Sequence, residues 1–145
     1  MSYTPPEVAF CTPIPIRWSD QDLNGHVNNA RALTLVEEAR ISASAHWAGG
    51  TSAHRHLPRV VRTMTMDFQR PIHYPDALEA YVWVTRIGST SYTVHHDLVQ
   101  NEQLCLSCDA VIVLLDPDTQ QPTQIPEGLR TILAAALSHD ARGRR

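Results

Sequence analysis

The 145-residue sequence contains no lysine, no long apolar run and only three cysteines. Without lysine, the chain has neither a Schiff-base amine nor a P-loop lysine, so any bound phosphate must be held by arginine, backbone amides or hydroxyls. Because no apolar run approaches the roughly 20 residues of a transmembrane helix, we expect no membrane span. The formal net charge of -3 gives no general reason to expect nucleic-acid binding.

The N-terminal residues lack a basic stretch followed by a long apolar segment, so we expect no secretory signal and a cytoplasmic location. The sequence has no internal repeat and no linker, and its length suits one hydrophobic core. We therefore predict a single domain over residues 1–145. Three of the last four residues are arginines, and we interpret about 141–145 as a frayed basic tail.

The three cysteines are Cys11, Cys105 and Cys108. An odd number of cysteines in a reducing compartment does not indicate a disulfide framework. Cys105 and Cys108 match the C-x-x-C spacing, but they lie in a segment with strand periodicity, which predicts side chains on opposite faces. No second C-x-x-C and no helical i, i+4 histidine pair accompanies them, so we predict neither a redox pair nor a metal site.

Hydrophobic periodicity predicts one long helix and a meander of antiparallel strands. From Asn28 to Trp47 the apolar residues recur at helical spacing, with Asn28 or Asn29 as the cap and Gly49-Gly50 as the end. A loop with His54 and His56 follows. The remaining predicted elements are an edge strand within 7–18, strands near 63–68, 78–85, 91–99 and 104–115, and a short helix at 127–137.

One long helix combined with about five strands predicts an α+β fold, a single domain whose curved antiparallel sheet wraps around the helix. Such a sheet has one edge and an outer face that a single helix does not cover. Since uncovered edges and apolar faces favour association, we expect a homodimer or a homotetramer.

Six polar residues crowd into ten positions where the long helix is predicted to begin: Asp20, Asp22, Asn24, His26, Asn28 and Asn29. A helix cap needs one such residue. An Asx-rich turn followed by a cap would also use residues of this kind, and the local sequence alone does not separate that interpretation from a functional site.

The string RWSDQDLNGHVNN, from Arg17 to Asn29, resembles the hotdog-fold acyl-CoA thioesterases of the 4-hydroxybenzoyl-CoA thioesterase type. Further matches follow in the family's order: Glu37-Glu38-Ala39-Arg40, Asp67-Phe-Gln-Arg-Pro71 with Asp76, Arg86-Ile-Gly-Ser-Thr-Ser91, and Val113-Leu-Leu-Asp116 with Pro126. The resemblance implies a hotdog enzyme that hydrolyses an acyl-CoA thioester to free acid and coenzyme A, without a cofactor beyond the coenzyme A of the substrate.

The resemblance also implies roles for individual residues. Asp22 is implied to be the catalytic carboxylate, either as nucleophile or as general base, whereas Asp20 serves the structure. The string Asp22-x-Asn24-x-His26 is also similar to plant acyl-carrier-protein thioesterases, which implies orienting or proton-handling roles for Asn24 and His26. The backbone amide of Asn29 is implied to donate to the thioester carbonyl.

For the substrate, the resemblance implies that the hairpin with Arg86, Ser89 and Ser91 contacts the phosphates of coenzyme A, which suits the arginine fork. The chain departs from the family at Ala32, where tyrosine is common, and at Pro75, where glycine is common. A small residue at position 32 predicts extra room for the acyl group.

The chemistry agrees with these roles, because thioester hydrolysis needs a base or nucleophile and donors to the carbonyl oxygen. A carboxylate beside a helix N-terminus and its unpaired amides supplies both. Two other functions remain open: a hotdog hydratase or dehydratase acting on acyl thioesters, and a non-catalytic module that binds them. Glu37 and Glu38 are predicted on a solvated helix face, although one of them could face a partner subunit.

Overall fold

The structure is a computed structural model that describes residues 2–49 and 57–140. Its elements are β1 (Phe10–Ile14), α1 (Asn29–Trp47), β2 (Arg59–Phe68), β3 (Leu78–Ile87), β4 (Ser91–Gln100), β5 (Gln103–Leu114) and α2 (Glu127–Ala135), with a 3₁₀ turn at Trp18–Asp20. The strands form one antiparallel sheet in the order β1-β3-β4-β5-β2. The predicted α+β fold, with one long helix, about five strands and a short final helix, is therefore confirmed.

Three predictions concern residues outside the described ranges. They are the helix end at Gly50, the loop with His54 and His56, and the basic tail at 141–145. The assignment of residues 1–145 to one domain stays a prediction.

The long helix begins at its predicted cap. The Asn28 side chain accepts a hydrogen bond from the backbone amide of Ala30 at 2.8 Å, which satisfies one of the free amides of the first turn. The helix buries one stripe of small and branched residues against the sheet: Ala32, Leu35, Val36, Ala39 and Ala43. After the C-cap Ala48, Gly49 has a φ of +60°, in the left-handed region that glycine adopts easily.

The two edges of the sheet differ from the sequence-based expectation in detail. β1 is an edge strand as predicted, but only its five residues pair with β3, and Trp18 already belongs to the following turn. β2 is the other edge. Met64, Met66 and Phe68 alternate onto one face of the predicted strand; Met64 and Met66 are half-buried, whereas Phe68 is 47% exposed. Periodicity gives the face on which Phe68 lies but not its position at a free edge.

The outer face of the sheet, opposite α1, is partly covered within a single chain, which corrects the expectation that it stays open. Trp83 lies on this face and is fully buried, and its Nε1 donates to the backbone oxygen of Asp140 at 2.8 Å. The Tyr3 ring packs on Tyr81 with centroids 5.0 Å apart. Segments from both ends of the chain therefore cover this part of the face.

The cysteines have free thiols, as the sequence predicts. Burial raises the pKa of Cys105, and it raises the pKa of Cys108 to about 11. Cys105 lies where the pairing of β4 with β5 shifts by one residue. Within residues 2–49 and 57–140, no cluster of three histidine, cysteine or carboxylate side chains could hold a metal ion, and no helix is long and apolar enough to cross a membrane.

Candidate active site

The polar loop before α1 is anchored by Asp20. This buried carboxylate accepts hydrogen bonds from the Arg17 backbone amide at 2.8 Å and from the Arg17 guanidinium at 3.1 Å. Burial acts to raise the pKa of Asp20, but the hydrogen bonds from Arg17 and the charges of Arg17 and Arg31 outweigh it and hold the pKa below its usual value. The Asp20 backbone oxygen also accepts from the Asn28 amide at 2.9 Å. Asp20 therefore fixes the loop to the start of the helix.

Asp22 is held differently and stays half-exposed. Its Oδ1 accepts from the Asn24 backbone amide at 2.9 Å, and its Oδ2 accepts from the Asn28 side-chain amide at 3.2 Å. The tight turn is completed by Gly25, whose φ is +77° and whose amide donates to the Asp22 backbone oxygen at 3.0 Å. The turn is thus an Asx turn, as the alternative interpretation predicts, and it also presents a partly solvated carboxylate at the entrance to α1.

The first residue of the helix offers a hydrogen-bond donor beside this carboxylate. Asn28 caps Ala30, and no described residue accepts a hydrogen bond from the Asn29 backbone amide. The amide also lies at the positive end of the helix dipole. Asn29 lines a cavity of about 240 Å³ together with His26, Ala32, Phe68 and Leu106. An acyl carbonyl in this cavity could therefore approach a free amide.

His26, Asn29 and Ala32 line the cavity, whereas Asp22 and Asn24 lie in the turn before α1 and are not among its lining residues. Asp22, Asn24, His26, Asn29 and Ala32 all lie at the N-terminal end of α1. The His26 ring makes an edge contact with His73, with centroids 5.4 Å apart. Asn24 is exposed, and it is the backbone amide of Asn24, not its side chain, that contacts Asp22.

The predicted phosphate contacts lie elsewhere. Arg86, Ser89 and Ser91 surround the hairpin between β3 and β4, where the Gly88 amide donates to the Ser91 oxygen at 2.7 Å. This hairpin follows the end of β3, a ten-residue strand that spans about 30 Å, and the Asp22 loop lies toward the other end of the strands. Within one chain the structure does not bring these residues to the Asp22 site.

One wall of the 240 Å³ cavity is a segment to which the sequence analysis gave no role in the site. The backbone amides of Gln69 and Arg70 both donate to the Cys105 oxygen, at 2.8 and 3.0 Å, and Arg70 Nη1 donates to the Leu104 oxygen at 3.1 Å. Together with Phe68 and Pro71 these residues face the start of α1. The family resemblance could have indicated that this segment belongs to the site, because the string Asp67-Phe-Gln-Arg-Pro71 is one of the family matches.

A second polar cluster lies on the outer face of the sheet. His95 Nδ1 is 2.7 Å from Asp109 Oδ1, and His95 Nε2 is 2.9 Å from Asp97 Oδ1. Asp97 also accepts from Ser107 Oγ at 2.6 Å and from the Tyr3 hydroxyl at 2.8 Å. Burial acts to lower the pKa of His95, but the hydrogen bonds to Asp109 and Asp97 and their charges outweigh it and raise the pKa to about 9. Each of these side chains has a partner within the protein.

The family model of the Thioesterase-like superfamily matches residues 16–133. Because the match covers most of the chain, the chain belongs to this superfamily. The predicted hotdog thioesterase fold and the predicted class of enzyme, a thioester hydrolase, are confirmed.

Individual relatives agree with this assignment. The acyl-CoA thioester hydrolase YbgC of Escherichia coli O6:H1 is 26% identical over 123 residues, which are 83% of this chain and 92% of YbgC. A predicted thioesterase from Bacillus stearothermophilus has a TM-score of 0.81 at 28% identity, covering 90% of this chain and 97% of its own. A thioesterase from Thermus thermophilus, complexed with coenzyme A and Zn, has a TM-score of 0.76 at 27% identity, covering 89% of this chain and 93% of its own.

Proposed function

We propose that the protein hydrolyses acyl-CoA thioesters, with Asp22 as the catalytic carboxylate and the Asn29 backbone amide as a donor to the carbonyl oxygen. The observation that carries this proposal is the placement of a half-exposed carboxylate beside a helix N-terminus whose first residue, Asn29, lines a cavity and whose first backbone amide has no described acceptor. The similarity to an acyl-CoA thioester hydrolase and to a thioesterase complexed with coenzyme A supports coenzyme A as the carrier.

The reaction adds a water oxygen to the carbonyl carbon and releases the coenzyme A thiol. As general base, Asp22 takes a proton from that water. As nucleophile, a carboxylate oxygen of Asp22 forms an anhydride with the acyl group, and water then cleaves it. Both routes place negative charge on the carbonyl oxygen, where the Asn29 amide and the helix dipole stabilise it.

The decisive variant is Asp22→Asn, since the amide keeps the shape of the side chain but removes the base or nucleophile. We expect turnover to fall about a hundredfold or more, with an unchanged melting temperature. Thiol release is measured over a panel of acyl-CoAs, and the exposed Asp118, changed to Asn, is the matched control. Near wild-type turnover in a folded Asp22→Asn variant would overturn the assignment.

Two companion variants test how the loop works. Asn24→Ala leaves the backbone amide that binds Asp22 in place, so the cost should be small. His26→Ala alters a wall of the cavity and should cost more than Asn24→Ala but less than Asp22→Asn. If either variant costs more than Asp22→Asn, the arrangement of the plant acyl-carrier-protein thioesterases is the better description.

We also propose that the active species is at least a homodimer. The free edge strand β2 exposes Val60, Val61 and Phe68, and α1 exposes Ile41 close to Val60 and Val61. Two-fold pairing of β2 edges would run the strands antiparallel and bring the start of one β2 beside the end of the other. Opposite ends of two chains would then meet, so that Arg86 of one copy could serve the Asp22 site of the other.

Sedimentation at assay concentration tests the assembly. We expect activity to sediment with a dimer or a larger species. A fully active monomer would contradict the proposal. The cytoplasmic location and the absence of a cofactor stay predictions.

A further inference from the structure

A second cavity is separate from the one beside Asn29. It has a volume of about 750 Å³ and lies between the second half of α1, the start of β2, and α2. Its apolar wall is formed by Ile41, Trp47, Val61, Ile112, Leu129 and Leu133. No residue lines both cavities. A cavity of this size and lining suits an apolar chain or ring.

One largely buried cation, Arg40, lines the same cavity. The Arg40 side chain is only 12% exposed, and its nearest carboxylate is Glu37, with Nη2 and Oε1 4.0 Å apart and the Glu37 side chain 58% exposed. Water screens the Arg40–Glu37 ion pair, because the two charged groups are 4.0 Å apart and Glu37 is exposed. Arg40 therefore brings into the cavity a positive charge that is only partly balanced by the described residues.

The other partner of Arg40 orients its guanidinium without neutralising it. Arg40 Nη1 lies 3.5 Å from Nε2 of His96, whose Nδ1 lies 3.1 Å from the Cys108 oxygen. Since Nδ1 must donate to that carbonyl, Nε2 is the acceptor that faces Arg40. Full burial lowers the pKa of His96 to about 3, so the ring is neutral at physiological pH.

A second guanidinium lines the same cavity. Arg59 begins β2 and lies on the strand face that is turned toward α1, because it pairs with Leu114 of the core. Burial raises the pKa of the Tyr92 hydroxyl, while Arg59 and Arg40 act in the opposite direction because both lie close to it. Two cations and the Tyr92 hydroxyl thus occupy one region of the cavity, whose lining also includes the exposed Glu37 carboxylate and Ser44.

We propose that Arg40 and Arg59 form a carboxylate subsite that lies, across the β2 pairing proposed above, beside the Asn29 cavity of the second copy, because this cavity is at the start of β2 and the Asn29 cavity is at its end. The substrates would then be thioesters whose acyl group ends in a carboxylate remote from the thioester carbonyl. The apolar wall would hold the hydrocarbon part, and the guanidinium forks would hold the terminal carboxylate through charged hydrogen bonds. This inference rests on the proposed thioesterase function and specifies the class of substrate.

The test compares two acyl-CoAs of equal length, one ending in a methyl group and one ending in a carboxylate, over a series of lengths. We expect the wild-type protein to favour the carboxylate by about tenfold or more in kcat/KM, and Arg40→Met to reduce this preference about tenfold, as expected for loss of a hydrogen bond between charged groups. Arg59→Met should reduce the preference less, because Arg59 is more exposed. The control is Arg62→Met, which removes an exposed arginine of the same strand outside the cavity.

Calorimetric binding of the free dicarboxylic acid and of the matching monocarboxylic acid separates this inference from the hydrolase function. If no thioester is cleaved but the dicarboxylic acid binds more tightly and loses this advantage in Arg40→Met, the proposed function fails and the subsite stands. If thioesters are cleaved with equal efficiency whichever group ends the chain, or if Arg40→Met weakens both substrates equally, the subsite is overturned and the hydrolase function stands.

Discussion

The two faces of the sheet use polar residues in opposite ways. The outer face carries a hydrogen-bonded network of five side chains: Tyr3, His95, Asp97, Ser107 and Asp109. All of them are buried except Tyr3 and Asp109, which are partly exposed. At the start of α1, on the other side of the sheet, Asp22 is half-exposed and the Asn29 amide has no described acceptor. Polar groups whose hydrogen-bonding capacity is filled within the protein stabilise the fold, whereas groups with spare capacity beside a cavity are available to a ligand.

An Asp→Asn replacement on each face would sharpen this contrast. Asp97 is fully buried and accepts hydrogen bonds from His95, Ser107 and Tyr3. Asp97→Asn should therefore lower the free energy of unfolding by about 3–5 kcal/mol, the usual cost of breaking a buried charged pair. Turnover of the folded fraction should stay close to wild type. Denaturant unfolding measures the first quantity and thiol release the second.

Asp118→Asn is the control for this stability experiment as well, because exposed substitutions usually change stability by less than about 0.5 kcal/mol. Asp22→Asn should give the reverse pattern, with turnover lost and stability kept. If Asp97→Asn abolished turnover without destabilising the protein, the outer network would belong to the chemistry and the contrast between the faces would fail.

His95 and His96 are neighbours in β4 and lie on opposite faces of the sheet. We expect them to affect the pH dependence of the free energy of unfolding in opposite ways, with a smaller effect than Asp97→Asn. The folded pKa of His95 is raised to about 9, above its unfolded value of about 6.5. Its contribution to stability is therefore complete below pH 6.5 and is lost as the pH rises through 9. The folded pKa of His96 is lowered to about 3, so the contribution of His96 is complete above pH 6.5 and is lost as the pH falls toward 3.

The free energy of unfolding should therefore decline on both sides of neutrality, for different reasons. Measured across pH by denaturant titration, His95→Gln should flatten the alkaline decline and leave the acid decline, while His96→Gln should do the opposite. Identical profiles for the two variants would show that the two rings do not differ in charge state.

The sequence predicts those features of the fold that depend on interactions between residues close together in the chain. The helix and its Asn28 cap follow from spacing and capping preference, and the faces of His95 and His96 follow from strand alternation. The burial of Trp83 and His95 cannot be predicted from strand alternation, because alternation places both side chains on the outer face of the sheet, which α1 does not cover. Asp140 accepts a hydrogen bond from Trp83, and Tyr3 donates one to Asp97, the partner of His95; both Asp140 and Tyr3 are distant in sequence from these strands. Contacts between residues so distant in the chain leave no periodic pattern in the sequence.

The candidate site divides in the same way. Asp22, His26, Asn29 and Ala32 come together because they are close in sequence at one helix end. The resemblance implies that the hairpin with Arg86 contacts the coenzyme A phosphates, and counting along an antiparallel meander places a β3–β4 hairpin at the opposite end from the β4–β5 turn. What the sequence alone could not supply is the cavity around Arg40, since its walls come from both helices and three strands.

The smallest expected effect concerns the acyl pocket on the α1 side of the sheet, and it is a change of preference rather than a loss of activity. Ala32 is 3% exposed and lines the 240 Å³ cavity. The space beside it is filled by neither Trp18, which is 73% exposed, nor Trp47, which lines the other cavity. Ala32→Tyr should therefore narrow the usable substrates toward short acyl groups, by roughly 0.8 kcal/mol for each methylene that can no longer be buried. The exposed Ala30, changed to Tyr, is the control within the same helical turn. Values of kcat/KM along a straight-chain acyl-CoA series decide the matter, because parallel profiles for Ala32→Tyr and wild type would mean that residue 32 does not border the acyl group.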